Sequence, residues 1–469
     1  MRNLKNFNEL LEILKEHKQD HVLKFWNKLS KEEQELLRKQ INVIDFDLMD
    51  RLISKYLNDE FSGTQANELK PAEIIDLEQR KKLDKEMFAL GEKVLYEGKV
   101  AAFLVAGGQG SRLGFEHPKG MYPITPIKKK SLFQVFAEKL SALSRRYHQT
   151  IPWYIMASES NIEETRDYFK TNDYFGFPSA DIQMFTQDMI PAIDRQGKFI
   201  LEKTCQIFKN PNGHGGSIKA LYDSGALNDM MNRGIEYIFY FQVDNVLTAI
   251  CDPYFLGYHI SQQAEMSSKV VRKAYAEEKM GIICQIADKT GVVEYSDLSD
   301  EDMKATNADG SLKYWAGSIA THIFNVDFIL RENKDGFRLP YHIAEKKIPY
   351  TDEQGHTVSP KKNNGIKFET FVFDALPDAK KTCTLEVKRE QEFSALKNKT
   401  GPDSPDTVEK DLLRFYSRML LDSDVEIKTN EDGLPAHKLE ISPLFALDTR
   451  DIVLKKKEIP IVNTDIYLG

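Results

Sequence analysis

The chain has 469 residues, 72 acidic and 64 basic, for a formal net charge of −8, with 41% hydrophobic and 29% charged side chains. One hydrophobic core stops growing near roughly 250–300 residues, so this ordinary globular composition implies two or three domains. A mild acidic excess without a basic block excludes a dedicated nucleic-acid binder, and no apolar run reaches the ~18–20 residues that span a bilayer. Cys205, Cys251, Cys284 and Cys383 are too scattered for a disulfide framework or a zinc site. They read as buried thiols in a reducing compartment. With a start (Met1-Arg2-Asn3-Leu4-Lys5) that runs straight into charges, the expected location is the cytoplasm, with no membrane contact.

From Leu4 to about Asn58 apolar residues recur every three or four positions among dense charges, the pattern of amphipathic helices. Ser30-Lys31-Glu32-Glu33 is a capping box that starts one of them. A polar stretch with Ser62, Gly63 and Pro71 precedes a further helix, Asp84 to Tyr96. At Val100 the texture changes. Val100 to Ala106 is short, continuously apolar and followed at once by glycines, as a strand buried on both faces would be. Strand-like runs follow at Trp153–Ala157, Ile238–Val243, Lys269–Arg272, Gly281–Ile286 and Phe371–Phe373, with helical patterns between several of them. This alternation predicts an α/β domain built on a mostly parallel sheet flanked by helices. Beyond Glu386, Thr407–Leu421 reads as a helix, and turns at Glu431-Asp432-Gly433 and Asp448-Thr449-Arg450 separate strand-like runs. The expected organisation is a helical N-terminal segment (1–97), an α/β catalytic domain (98–385) and a small, mostly β C-terminal domain (386–469).

The richest segment is Leu104-Val105-Ala106-Gly107-Gly108-Gln109-Gly110-Ser111-Arg112-Leu113-Gly114, continuing to His117-Pro118-Lys119-Gly120. Glycines after a buried strand let backbone N–H groups approach phosphate oxygens, and Arg112 and Lys119 add positive charge. A Walker loop would need Gly-Lys-Ser/Thr further on, and a dinucleotide fold would need glycine in place of Leu113. Val243-Asp244-Asn245 puts a carboxylate just past a buried strand, where open parallel sheets bind ligands and where magnesium shared with phosphates would find an oxygen. A strand-end aspartate serves equally as a helix cap. The glycines of Pro211-Asn212-Gly213-His214-Gly215-Gly216 would admit a flat ring against the backbone, or simply form a loop before a helix.

The pattern Leu-x-x-Gly-Gly-x-Gly-Ser-Arg-Leu-Gly followed by Pro-Lys resembles the signature of the uridylyl-transferring sugar-nucleotide pyrophosphorylases, and among them the eukaryotic-type UDP-N-acetylglucosamine pyrophosphorylases. The similarity continues in order through Phe185 to Ala192, Gly213 to Gly216, Val243 to Asn245, Val292 to Ser296, Ala316-Gly317 with His322, Asn364 to Lys367, and Phe393 to Asn398. The resemblance implies a Rossmann-like, glycosyltransferase-A-like nucleotidyltransferase that makes UDP-N-acetylglucosamine and pyrophosphate from UTP and N-acetylglucosamine 1-phosphate, using magnesium or manganese, as a monomer or homodimer. It assigns Leu104, Ala106, Gly107, Gly108, Gln187, Gly213 and Asp244 to the nucleotide, with Asp244 as the metal ligand. His214, Glu294, Gly317, Ser318 and Lys367 fall to the sugar side, and Arg112, Lys119 and Lys397 to catalysis. His322 and Asn245 stand in a second rank. Alone, Gln187 and Glu294 would read as exposed polar residues, Lys367 and Lys397 as solvated surface groups, and His322 as a core histidine. The family usually carries asparagine at positions 214 and 318. These two departures leave open a preference for glucose, galactose or N-acetylgalactosamine 1-phosphate, while a non-catalytic UDP-sugar sensor would not need the cations.

Overall fold

The computed structural model describes residues 4–61 and 69–469, so the polar stretch expected at Ser62 and Gly63 lies outside the described residues. The chain divides into two units. The first gathers Met1–Asn67, Gln187–Ser217 and Arg338–Asp374; the second gathers Glu68–Thr186, Ile218–Phe337 and Ala375–Gly469.

In the first unit, helices α1 (Phe7–Glu16), α2 (Lys31–Asn42) and α3 (Phe46–Leu57) follow the predicted periodicity. The Ser30 capping box forms: its hydroxyl accepts from the Glu33 amide while the Glu33 carboxylate accepts from the Ser30 amide. The buried stripe Leu10, Leu14, Leu37, Ile41 and Phe46 packs on Ile193, Phe199, Ile207, Ile366 and Phe368, so this core is assembled from three distant stretches of chain. Gln19 stitches two of them, donating to the Gly197 carbonyl and accepting from the Phe199 amide, both at 2.9 Å. Short strands complete the unit: Met189–Pro191 pairs with Lys209–Pro211, and Gly365–Glu369 pairs with both His342–Lys346 and Ile193–Asp194.

The second unit opens with α4 (Leu77–Tyr96), which starts seven residues before the expected Asp84. Its start is fixed by Asp76, whose carboxylate accepts from the Glu78 and Gln79 amides. Strands β1 (Val100–Val105), β2 (Trp153–Ala157) and β3 (Ile182–Thr186) pair in parallel, with α5 (Leu132–Tyr147) in the first crossover. Strand β4 (Tyr237–Gln242) lies parallel to the other side of β1, giving the order β4-β1-β2-β3. Both β1 and β2 are buried on both faces, which is why they read as unbroken apolar runs. After α6 (Pro253–Ser261), β5 (Met266–Arg272), the hairpin β6 (Ile282–Ile286) and β7 (Lys289–Val293), and the long β8 (Ala316–Asn325) extend the sheet; β8 runs antiparallel to β4, β5 and β6. Strand β9 (Thr382–Glu386) joins β5 in parallel. Helix α7 (Pro405–Leu421) and a two-stranded parallel pair, Leu439–Ile441 with Ile466–Leu468, finish the unit. The fold is thus α/β, its mostly parallel sheet flanked by helices.

Three local expectations change. Phe371–Phe373 is not a strand: it follows Gly365–Glu369 and enters the 3-10 segment Val372–Asp378, with the Phe371 ring stacked on Phe373 and tilted against His214 and His342. Asp448-Thr449-Arg450 is a helix start rather than a turn, Asp448 capping Thr449–Leu454 through the Arg450 amide. Strand β5 begins three residues before the predicted Lys269. All four cysteines are free and buried. No described helix is long and apolar enough to cross a membrane.

Candidate active site

The glycine-rich loop leaves the end of β1, where Leu104 and Ala106 are buried and the Ala106 amide donates to the Met156 carbonyl of β2. It is braced on itself: the Gly110 amide donates to the His117 carbonyl at 3.0 Å, and the Lys119 amide to the Gly108 carbonyl at 3.1 Å. None of these bonds uses the amides of Gly107 or Gly108, which are donors of the kind a phosphate meets. Asn161 holds the loop from the side, its amide donating to the Gly107 carbonyl. At Gly110 a Cβ would sit 2.7 Å from the Phe115 carbonyl oxygen, so only glycine allows this close return. Arg112 is exposed on the 3-10 turn Ser111–Leu113.

Lys119 and Asp244 come together, Nζ to Oδ2 at 4.0 Å, with both side chains only 16% exposed. Asp244 stands just beyond β4, and its carbonyl accepts from the Leu396 amide at 2.8 Å, which brings the Lys397 segment alongside. Asn245, buried next to it, donates to the Glu392 carbonyl and accepts from the Ser394 amide. Lys399 follows on the same segment; a Cβ on Gly114 would lie 3.5 Å from its Nζ. A cation therefore stands beside the glycine loop at a position that sequence reasoning passed over, as it did Asp403, whose carbonyl accepts from the Lys397 and Asn398 amides. Burial, then the competing pulls of Lys397 and Asp244, leave the Asp403 carboxyl above its ordinary range.

Glu294, Gly317 and Ser318 form another group in the same unit. The Ser318 amide donates to the Gly281 carbonyl at 2.8 Å, and a Cβ on Gly281 would lie 3.2 Å from a Glu294 carboxylate oxygen. Gly317 is pinned against Met280, which would stand 3.0 Å from an added Cβ. His322 sits apart, buried within β8 opposite Tyr240 and Ser268, its Nδ1 bonded to the Ser268 hydroxyl at 2.9 Å.

The remaining candidates belong to the first unit. Gln187 is buried, and its Oε1 has no hydrogen-bond partner among the described residues. Such an orphaned amide costs free energy until a ligand satisfies it. Gly213 adopts φ +84°, and a Cβ there would come within 2.3 Å of the Thr370 carbonyl oxygen. His214 Nδ1 accepts from the Val372 amide at 3.1 Å, which puts the ring proton on Nε2. Burial, reinforced by His342, pushes this imidazole down to about 4, so it is a neutral donor. Phe371 and Phe373 flank it, with ring centroids at 5.4 and 5.5 Å. Lys367 lies on Gly365–Glu369 over the Phe208 ring, and burial lowers its ammonium below the ordinary lysine value.

Among the described residues no three His, Cys, Asp or Glu side chains form a metal cage. Asp244 alone still suits magnesium, which keeps waters and takes one or two carboxylates plus substrate phosphates.

Residues 46–441 match the family described as UTP--glucose-1-phosphate uridylyltransferase. The chain is 38% identical to the Arabidopsis thaliana UDP-N-acetylglucosamine diphosphorylase 2 over 93% of its own length and 89% of that protein. It is 37% identical to the Saccharomyces cerevisiae UDP-N-acetylglucosamine pyrophosphorylase, covering 87% of this chain and 90% of the other. Among solved structures, a putative UDP-N-acetylglucosamine pyrophosphorylase from Entamoeba histolytica superposes with a TM-score of 0.76 at 36% identity, covering 86% of this chain and 99% of that one. Loop, strand-end aspartate and relatives agree: the chain belongs to the UTP--glucose-1-phosphate uridylyltransferase family.

Proposed function

We propose that this protein transfers uridylyl from UTP to N-acetylglucosamine 1-phosphate, releasing pyrophosphate. The observation that carries the chemistry is the meeting of Lys119 with Asp244 beside the braced glycine loop, with the Lys397 segment tied to the Asp244 carbonyl. The sugar assignment rests on relatives named for N-acetylglucosamine along most of their length.

A phosphate oxygen of the sugar attacks the α-phosphorus of UTP in line; the new P–O bond forms as the bond to the bridging oxygen breaks, and pyrophosphate carries the electron pair away. The nucleophile is already an anion near neutral pH, so no general base is needed. Catalysis is then positioning and charge stabilisation. The amides of Gly107 and Gly108 with Arg112 and Lys119 offset charge on the α-phosphate and the leaving group, and Lys397 with Lys367 holds the sugar phosphate. Leu104, Ala106 and Gly213 support the nucleotide, Gln187 reads the uracil edge, and Glu294, Gly317, Ser318 and His214 are assigned to the sugar. Asp244 would hold magnesium or manganese, which supplies positive charge to the phosphates. The four buried free cysteines support a cytoplasmic location.

His214 favours a second reading for the sugar alone: a neutral Nε2–H donor replaces the family's amide, so glucose, galactose or N-acetylgalactosamine 1-phosphate would compete. The test of the reaction class is UDP-sugar formation from UTP with magnesium or with a chelator. Magnesium-dependent product supports transfer; folded protein that binds UDP-N-acetylglucosamine yet releases no pyrophosphate with any sugar would make it a sensor.

A further inference from the structure

The second unit contains an ion cluster made of residues that sequence reasoning did not assign to substrate. Lys269, on β5, is 0% exposed; its Nζ donates to Asp252 at 2.7 Å and to Glu392 at 2.6 Å. The other Glu392 oxygen accepts from the Ala249 amide at 3.3 Å. Burying three charges is costly, and apolar replacements of such clusters are often as stable or more so. Stability alone therefore explains this one poorly, and its bonds lead elsewhere. The Glu392 carbonyl accepts from Asn245 Nδ2 at 2.7 Å, Asn245 Oδ1 accepts from the Ser394 amide at 3.0 Å, and the Asp244 carbonyl accepts from the Leu396 amide at 2.8 Å. Ser394 is tied in turn to Asp411 of α7 through its hydroxyl, at 2.8 Å. The cluster thus stands behind the short zipper that sets Lys397 against Asp244.

On the far side the packing is interrupted by a cavity. Asp252, Glu392 and residues Val246 to Ile250 border a cavity of about 760 Å³, which none of the sequence-predicted phosphate ligands lines. Where side chains leave space, register falls to directional bonds. Lys139 supplies two more, donating to the Val246 and Thr248 carbonyls at 2.7 and 2.8 Å.

We propose that the Asp252–Lys269–Glu392 cluster, acting through Asn245, is a positioning device that keeps the Lys397 segment in register with Asp244. The proposal rests on the reading that Lys397 holds the sugar phosphate. These groups act by fixing where a catalytic lysine stands, and displacement by about 1 Å can cost up to a hundredfold in rate.

The experiment is a double-mutant cycle on the full chain, with kcat and KM for UTP and for the sugar phosphate, and Tm, for Asn245→Ala, Lys397→Ala and the pair. Asn245→Ala is expected to lower kcat by about tenfold or more and to raise KM for the sugar phosphate, with KM for UTP nearly unchanged. Because it acts through Lys397, the pair should be no slower than Lys397→Ala alone. Glu392→Gln, which keeps the shape and an acceptor for Lys269, should shift the same parameters less, and it carries the cycle if Asn245→Ala does not fold. Losses that multiply in the pair would overturn the proposal. So would wild-type kinetics for Asn245→Ala beside a crippled Lys397→Ala, which would leave the reading of Lys397 intact. Wild-type turnover by Lys397→Ala would overturn that reading and the positioning role with it.

Discussion

The two units hold their site residues by different means. In the second, Arg112, Lys119, Asp244 and Lys397 are charges set by backbone bonds: the loop closes on itself and the Lys397 segment is zipped to the strand end. In the first, Gln187, Gly213 and His214 are neutral and set by aromatic rings, a backbone amide and a positive φ, and the one charged candidate with them is Lys367, over the Phe208 ring. The contrast separates two tasks. Fixed charges serve a transition state whose charge is changing, whereas neutral donors and acceptors discriminate among ligands without adding charge.

Removing a charge from the second unit should have the largest effect. Lys119→Ala and Arg112→Ala are each expected to raise the barrier by on the order of 3 kcal/mol, a hundredfold or more in kcat, with Tm little changed. Near-wild-type turnover in a folded variant would mean that the glycine loop and its cations do not cradle the phosphates. The opposite pattern is expected for Gly213→Ala, whose Cβ would meet the Thr370 carbonyl oxygen at 2.3 Å with φ at +84°. This should cost about 1–3 kcal/mol of stability, read as a fall in Tm.

Acid sharpens the comparison because each unit buries a neutral imidazole. Burial pushes His259 down to about 4, as it does His214, and the His259 ring bonds Ser267 and Asn325. Between about pH 6.5 and 4 the unfolded chain takes up protons that the folded chain refuses, so stability should fall as pH falls, by on the order of 3 kcal/mol per histidine. Tm measured against pH tests this; His259→Gln should flatten the slope, and an unchanged slope would mean that His259 is not held neutral. The smallest effect is a change of ratio. His214→Asn restores the family's usual residue and should move preference between N-acetylglucosamine and glucose 1-phosphates by about tenfold, with total turnover preserved.

The parallel core of the sheet was legible because β1 and β2 are buried on both faces and flanked by glycine or turn residues. The early start of α4 was less so: its first turns are charged, and the signal was the Asp76 and Gln79 pair rather than apolar spacing. The first unit was not legible as a unit, since nothing local tells that Phe46 packs with Phe199 or that Gln19 reaches Gly197. Among site residues, those in glycine motifs announced themselves. Lys269, Asp252 and Glu392 did not, because an isolated charge in sequence carries no sign of the partners that bury it.

The central claim is uridylyl transfer to N-acetylglucosamine 1-phosphate, and the most direct measurement is pyrophosphate release from UTP and magnesium with that sugar phosphate beside glucose 1-phosphate and N-acetylgalactosamine 1-phosphate at equal concentrations. The fastest release is expected with N-acetylglucosamine 1-phosphate, His214 and Ser318 being tolerated replacements. Faster release with glucose 1-phosphate would contradict it and show that those two residues had re-specified the sugar pocket.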